Sequence, residues 1–489
     1  MTEVELKLAC APENLAKLKR HSLLKALGRG KARTIPVYSV YYDTPEASLK
    51  QNGVAFRVRR SGSRWLQTVK ADGRVSAGLH ERAEWETPCA GANPDWDAAA
   101  QTGVALFADP QLRSRLIPVF DTEFQRTTRI LGAGSGDEIE VCLDQGEIRA
   151  GGAREPISEV ELELRSGALA SVYELALKLQ DIVPLRVENR SKAERGYALL
   201  SPELEPVKAE RPALTGDMTV ASAFQAICWS AISQLQANER GMLESEDVEY
   251  LHQMRVAGRR LRAALSIFGK ALPPGAASPA VQEVKWLGGA LGTARDWDVF
   301  ATQTLPPMMD AFPGQLDALA AAAASARVRA REQARQAVAS PRFARLLLRL
   351  SAWLGVKSWY DCGNPFQLDS AVAPFSAEWL DKHHGKVKKR GERVAELPPQ
   401  ERHRLRIAIK RLRYGADFFS SLYPAKRSAK YVAALAGLQD VLGAFNDAQV
   451  AREFAEELRA LGAPAEARGI VQGYAAGKIA QTAPQLERA

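Results

Sequence analysis

The sequence predicts a multidomain α and β protein, a β-rich first half followed by an all-α second half, and three observations carry that expectation. Up to about residue 200, the alternating segments VELKL, VYSVYYDT, VAFRVRR, WLQTVK, EIEVCLD and EVELEL are separated by turn formers such as LGAGSGDE and RAGGAREP, which is the period of two expected of strands. Further on the period becomes 3.6, and Pro-Gly clusters such as LPPGAASPA mark the connections, as in helical bundles. The charge divides at the same place. Residues 1–205 hold 28 Lys+Arg and 29 Asp+Glu, leaving 38 and 28 of the chain's 66 and 57 for the remainder, a net of −1 against +10.

Length and composition exclude several classes. At 489 residues the chain exceeds a single core, and 46% hydrophobic content excludes general disorder. No apolar run approaches the roughly 20 residues of a membrane span, and the chain opens on a charged segment without a secretory leader pattern. A cytoplasmic protein with no membrane partner is expected. Cys10, Cys89, Cys142, Cys228 and Cys362 fall at no zinc-ligand spacing, so most are expected to be buried small hydrophobes.

The opening strand EVELKL places Glu3, Glu5 and Lys7 on one face and Val4, Leu6 and Leu8 on the other. The apolar face can pack beneath helices, leaving two carboxylates and an ammonium together. Helix Pro12 to Leu27 follows. Arg57 and Arg59 then share a face in VAFRVRR, and Lys70 ends WLQTVK. Arg82, Glu84 and Glu86 alternate in RAEWE, Arg126 stands in FQRTTRI, Asp144 closes EIEVCLD, and Glu159, Glu161 and Glu163 alternate in EVELEL. One charged face is ordinarily a solvated sheet face. Nearly every strand carries one here, and if the sheet curls with those faces inward, acids and bases gather in one lumen. Their burial is tolerable only with mutual pairing or bound counter-ions. A polyanion with its divalent metal satisfies both sets, since Arg and Lys donate to phosphate oxygens while a hard cation takes carboxylates.

Taken in order, EVELK, YYDT (41–44), FRVR (56–59), TVK (68–70), FQRT (124–127), LDQGEI (143–148), EVELEL (159–164) and SKAERGYAL (191–199) resemble the CYTH family of triphosphate tunnel metalloenzymes over about residues 1–200. The resemblance implies a closed antiparallel eight-stranded β-barrel with flanking helices, whose tunnel binds triphosphate. It implies Mg²⁺ or Mn²⁺ held by Glu3, Glu5, Glu161 and Glu163, with Glu159 and Asp144 as contributors. Lys7, Arg57, Arg59, Lys70, Arg126 and Lys192 are implied as phosphate contacts, and Glu3, Glu5 and Lys7 as catalytic. EVELEL offers two overlapping Glu-x-Glu pairs, and Glu161 belongs to both. Family members hydrolyse inorganic triphosphate or thiamine triphosphate, or cyclise ATP. Cyclase members carry an aromatic-containing extension ahead of a motif that begins here at the third residue, which disfavours cyclisation.

Residues 201–217, with three prolines and no periodicity, read as a linker. The helical remainder, 218–489, contains a repeat at one offset. His252-Gln-Met-Arg255-Val-Ala-Gly-Arg259-Arg260-Leu-Arg262 matches His403-Arg-Leu-Arg406-Ile-Ala-Ile-Lys410-Arg411-Leu-Arg413, and Leu291-Gly292 with Asp296 matches Leu442-Gly443 with Asp447, each 151 residues on. Two pseudo-repeated four-helix bundles follow, about 218–365 and 370–489. The Ala-rich run Leu316 to Ala339 reads as an ordinary long helix kept soluble by Arg327, Arg329, Arg331 and Arg335. His252, Arg255, Arg259 and Arg262 occupy one helical face roughly 80° wide, repeated by His403, Arg406, Lys410 and Arg413, and KHHGKVKKRGER (382–393) adds further positive charge. One reading pairs these stripes with nearby acids, including Asp296 and Asp447, as solvated faces, though two matched stripes in a +10 region are less ordinary than one; one histidine each falls short of a metal site.

These paired segments resemble the CHAD domain over about residues 218–489. That resemblance implies inorganic polyphosphate as ligand, and association with polyphosphate granules. No aromatic platform interleaves the arginines as single-strand readers require, so no specific nucleic acid is expected. The combined expectation is a metal-dependent inorganic triphosphatase carrying a polyphosphate-binding domain. The alternatives are a non-catalytic polyphosphate-binding or targeting protein, and a thiamine triphosphatase or adenylate cyclase of the same family. Oligomeric state is left open.

Overall fold

A computed structural model describes residues 2–76, 78–133, 136–201, 205–361, 364–392 and 394–488, and within these the side chains of a few, Asp447 among them, lie outside the description. Cys362 and Arg393 fall outside the described residues. Of the other cysteines, Cys142 and Cys228 are buried and Cys10 and Cys89 half-buried. The chain divides into two compact units, 1–205 with 341–356, and 206–340 with 357–489.

In the first unit strands β1 (Thr2–Ala9), β2 (Arg33–Asp43), β3 (Ala55–Ser61), β4 (Arg64–Ser76), β5 (Leu79–Pro88), β6 (Ile117–Ala133), β7 (Asp137–Ala150) and β8 (Ala153–Ser166) run antiparallel in the order β5-β4-β3-β2-β6-β7-β8-β1. Pairing of β1 back onto β5, from Thr2↔Ala83 to Leu6↔Leu79, closes the eight-stranded barrel. The two-residue β9 (Arg186–Val187) extends β1 at Leu8 and Ala9. Gly151 and Gly152, both at positive φ, make the two-residue turn between β7 and β8, where the twist of a hairpin favours residues without a Cβ.

The barrel is inverted relative to an ordinary core. Leu6, Leu8, Val160 and Leu162 point outward and are fully buried, with helices Pro12–Arg20 and Leu169–Ile182 over that side of the sheet. Val54, Phe56, Val58 and Val69 are covered from outside by the excursion that includes Ala99, Phe107 and Leu116. The expected helix Pro12 to Leu27 is two helices, Pro12–Arg20 and Ser22–Ala26, because His21 leaves the helical region and its Nδ1 accepts from Leu23 N at 3.2 Å. At one end of the interior, helix Lys192–Leu200 enters as a plug. A capping box between Ser191 and Glu194 starts it, Ala193 and Tyr197 pack with Val37, Tyr41, Phe120 and Phe124, and a Cβ at Gly196 would lie 2.3 Å from the Phe120 ring.

Asp43 of the YYDT segment anchors this end. It is fully buried and accepts from Thr44 N at 2.7 Å, Leu49 N at 2.8 Å, Lys50 N at 3.0 Å and Tyr197 Oη at 2.6 Å. Asp43→Ala strips partners from three amides and a phenol, so a loss of about 3 kcal/mol is expected for the barrel unit, against about 1 for Tyr197→Phe. Urea midpoints of the two variants check this ordering.

The second unit shows the repeat as architecture. Helices Val220–Ala237, Val248–Phe268, Ser278–Val299 and Asp317–Ala339 are followed by Val372–Gly391, Pro399–Phe418, Ala425–Arg459 and Ala465–Arg488. The copies meet at an antiparallel bridge, Thr219 with Ala371, and through the stacked rings of Trp297 and Phe454, 4.0 Å apart. Residues 206–217 have no regular structure but are strapped to this unit. Leu214 is buried, Asn238 pairs with the Val207 backbone, and Arg260 donates to Glu210 O at 2.7 Å. The Ala-rich helix forms, yet its arginines do more than solubilise. Arg331 is buried, and Arg327 Nε reaches the fully buried Asp298 at 2.6 Å. Helix Pro341–Val356 belongs to the barrel unit, where Arg345 pairs with Asp181 at 2.5 Å and Gly355 leaves room for the Tyr173 ring.

Candidate active site

The barrel encloses a cavity of about 560 Å³ lined by Glu3, Glu5, Lys7, Arg57, Arg59, Lys70, Arg126, Glu161, Glu163 and Lys192. The pleat puts them there: residues of one parity on each strand face inward, and the helical plug delivers Lys192 from its first turn. Register sets opposite charges side by side, since Lys7 lies across from Glu161 and Glu5 across from Glu163.

One wall is acidic. Lys7 Nζ stands 2.7 Å from Glu5 and 2.5 Å from Glu161, and Lys70 Nζ 2.5 Å from Glu3. Burial acts to raise the Glu5 carboxyl, yet Lys7 carries it down to about 2. The pairing stops short of neutralising the wall. Burial, then Glu5, raises Glu3 despite Lys70. Glu163 is pushed up to about 7, first by burial and then by Glu3, Glu140 and Glu5 against the pull of Arg165. Carboxylates crowded to this degree form a donor set suited to a hard divalent cation.

The opposite wall is basic. Arg59 is buried, donates to Ser39 Oγ at 3.1 Å and has no carboxylate partner among the described residues. Burial, followed by Arg57 and Arg126, lowers it to about 10. A buried guanidinium among guanidiniums calls for an anion.

Asp144 and Glu159 sit behind these walls. Lys192 Nζ donates to Asp144 Oδ2 at 2.7 Å and Glu161 Oε1 at 3.0 Å, and also to Glu159. Arg126 grips Asp144 at 2.8 and 2.6 Å, and Arg195 Nη1 reaches Glu159 at 2.7 Å. Oxygens of Asp144, Glu159 and Glu161 lie within 4.8 Å of one another, close enough to share a metal, but the ammonium of Lys192 occupies that position. Of the two overlapping Glu-x-Glu pairs, Glu161 with Glu163 opens to the cavity. Tyr41, Thr68, Glu140 and Arg165 also line it and escaped the sequence reading. Glu140 shares the parity of Cys142 and Asp144 in EIEVCLD, which was its available signal. The noted alternation of Arg82, Glu84 and Glu86 likewise faces inward.

In the helical unit the two stripe-bearing helices, Val248–Phe268 and Pro399–Phe418, contact each other. His252 and Arg255 are half-buried and Arg259 and Arg262 exposed; His403 is exposed and Arg406, Lys410 and Arg413 half-buried. Arg255 Nη2 donates to Asp296 at 3.1 Å, and Arg413 Nε to Gln439 Oε1 at 2.9 Å. Burial and then Arg259 lower Arg255 to about 10, in spite of Asp296, and Arg295, absent from the motif reading, adds to the same crowding. The neighbouring Arg260 is interior and structural, bound to Gln234, Ser230 and Glu210.

Comparison with known proteins agrees with this division. The CYTH domain model matches residues 1–197 and the CHAD domain model residues 226–456. An inorganic triphosphatase of Haemophilus influenzae is 32% identical over 200 residues, which is 41% of this chain and 55% of that protein, so the chain spans little more than half of that relative. An uncharacterized protein of Mycobacterium tuberculosis is 26% identical over 455 residues, covering 85% of this chain and 80% of its own length. The crystal structure of the CHAD domain from the plant Ricinus communis is 36% identical with a TM-score of 0.53, over 58% of this chain and 95% of that one. With an inverted eight-stranded barrel and a duplicated helical unit each matching its own family model, the chain belongs to the CYTH–CHAD proteins.

Proposed function

We propose that the barrel is a divalent-metal-dependent inorganic triphosphatase and that the helical unit binds inorganic polyphosphate. The carrying observation is the split lining of the cavity, an over-acidic wall of Glu3, Glu5, Glu161 and Glu163 facing a basic wall in which Arg59 has no carboxylate partner among the described residues. Glu3, Glu5, Glu161 and Glu163 would hold the ion, Mg²⁺ or Mn²⁺. When bound, the ion supplies charge neutralisation and Lewis acidity toward phosphate oxygens. Arg57, Arg59, Lys70 and Arg126 clamp the phosphate chain through charge-assisted hydrogen bonds, and Lys7 and Lys192, seated among the carboxylates, add phosphate contacts from that side. The residues thereby fix the reacting phosphorus in line for water without a protein nucleophile.

The lining also supports an inorganic substrate over a nucleoside or thiamine triphosphate. Tyr41 is its one aromatic residue among the described residues, and that ring is stacked on Phe120 at 4.5 Å. No described helix is long and apolar enough to cross a membrane.

The purified 489-residue chain with Mg²⁺ is expected to release phosphate from inorganic triphosphate faster than from thiamine triphosphate, ATP or long polyphosphate. EDTA should abolish turnover, and added Mg²⁺ or Mn²⁺ should restore it. No phosphate release across metals and pH sinks the enzymatic reading, and full activity in EDTA sinks the metal.

A further inference from the structure

One level of the barrel wall carries hydroxyls that the charge pattern does not account for. The register places Tyr41 opposite Arg57 on β2 and β3, and Arg57 opposite Thr68 on β3 and β4, so the three lie in one row across adjacent strands. All three line the cavity. Thr68 is fully buried, and its Oγ1 has no hydrogen-bond partner among the described residues; nor has Arg57 Nε. What contacts Arg57 does make are long: 3.4 Å from Nη1 to Tyr41 Oη and 3.8 Å from Nη2 to Glu84. A buried hydroxyl or guanidinium N–H without an acceptor is costly, and here three donors converge on one cavity.

Chemistry favours neutral donors at this level. Arg57 and Arg59 are adjacent inward positions of β3, and Arg59 already suffers from its cationic neighbours. Another lysine or arginine would add repulsion, whereas O–H groups add hydrogen bonds to an anion without adding charge. The Tyr41 ring is fixed by its stack on Phe120, so its hydroxyl is positioned before any ligand arrives.

We propose that Tyr41 Oη and Thr68 Oγ1, flanking Arg57, form a three-donor shelf that takes the non-bridging oxygens of one phosphoryl group of the substrate. This rests on the triphosphatase reading and adds two phosphate-contact residues to it.

The test is steady-state kinetics of the full chain with Mg²⁺ and inorganic triphosphate, in parallel with calorimetric titration of triphosphate, on Thr68→Val, Thr68→Ser and Tyr41→Phe. Each lost contact made in ground and transition state alike raises KM with kcat little changed. KM and Kd are therefore expected to rise about tenfold in Thr68→Val and in Tyr41→Phe, while Thr68→Ser, which keeps the hydroxyl, stays within about twofold of the parent. Thermal midpoints of the variants report any purely structural effect. Unchanged KM and Kd in Thr68→Val, or a Thr68→Ser variant as impaired as Thr68→Val, overturns the shelf while leaving the triphosphatase reading intact. Absent turnover in the parent overturns that reading, and the titration still decides the shelf: tenfold weaker triphosphate binding in both hydroxyl-deleted variants supports it, and unchanged binding overturns it.

Discussion

Glu5→Gln is expected to lower triphosphate turnover by about 10³-fold, in the range found when one preorganised electrostatic group is removed from an active site, while leaving the barrel folded. The substitution is isosteric. Lys7 keeps Glu161 at 2.5 Å, so no buried cation is stranded. What is lost is a carboxylate held ionised by Lys7 at the centre of the acidic wall. On the proposed metal role of Glu5, the variant should need more Mg²⁺ for half-maximal activity. Glu159→Gln is the informative contrast. Glu159 faces Lys192 and Arg195 behind the cavity, and removing one partner of a buried ionic network typically costs 3–5 kcal/mol, so it should lower stability by about that much with a smaller change in Mg²⁺ dependence. Metal titrations and urea midpoints on both variants decide the assignment. If Glu159→Gln alone shifts the Mg²⁺ requirement, the metal pair in EVELEL is the inner one.

The contrast also shows what the chain's own pattern reveals. Alternation along β1, β3, β4 and β8 is enough to gather Glu3, Lys7, Arg57, Lys70 and Glu161, because a strand's period of two fixes the face of every side chain once closure is assumed. Alternation gives the face and not the depth. Asp144 and Glu159 have the same parity as the cavity residues but lie beyond it, under the plug helix, and only the packing of Ala193 and Tyr197 against Phe120 makes that distinction. Tyr41 and Thr68 escape a reading that ranks ionisable groups, since a hydroxyl in a strand is as often structural. Helix Pro341–Val356 reads as one more amphipathic helix, and nothing local in its sequence specifies that its partner is Leu169–Ile182. The 151-residue repeat, by contrast, is legible because two copies must satisfy the same packing, and its helix starts recur accordingly.

The second large effect is expected in the helical unit, where Arg255→Glu/Arg406→Glu should weaken binding of labelled long-chain polyphosphate to the full chain by about 10²-fold or more at low salt. Polyphosphate is a line of charge, so its affinity follows the number of cations that displace its counter-ions. Each cation removed should flatten the log–log salt dependence by roughly one, giving about two for this pair before the added repulsion of the glutamates. Arg255 is a favourable choice because its burial and its neighbours Arg259 and Arg295 already oppose its charge. Replacing it relieves crowding with Arg259 and Arg295 but breaks its pair with Asp296 at 3.1 Å, so the thermal midpoint of the variant is measured beside its affinity. Arg260→Ala serves as the opposite control. That arginine is interior, bound to Gln234 and Glu210, and should cost stability while leaving the salt slope unchanged. Undiminished affinity with an unchanged slope in the double variant would place polyphosphate elsewhere and reduce both stripes to solvated helix faces. A steep loss confined to the stripe variants would make the +10 charge of residues 206–489 a binding surface.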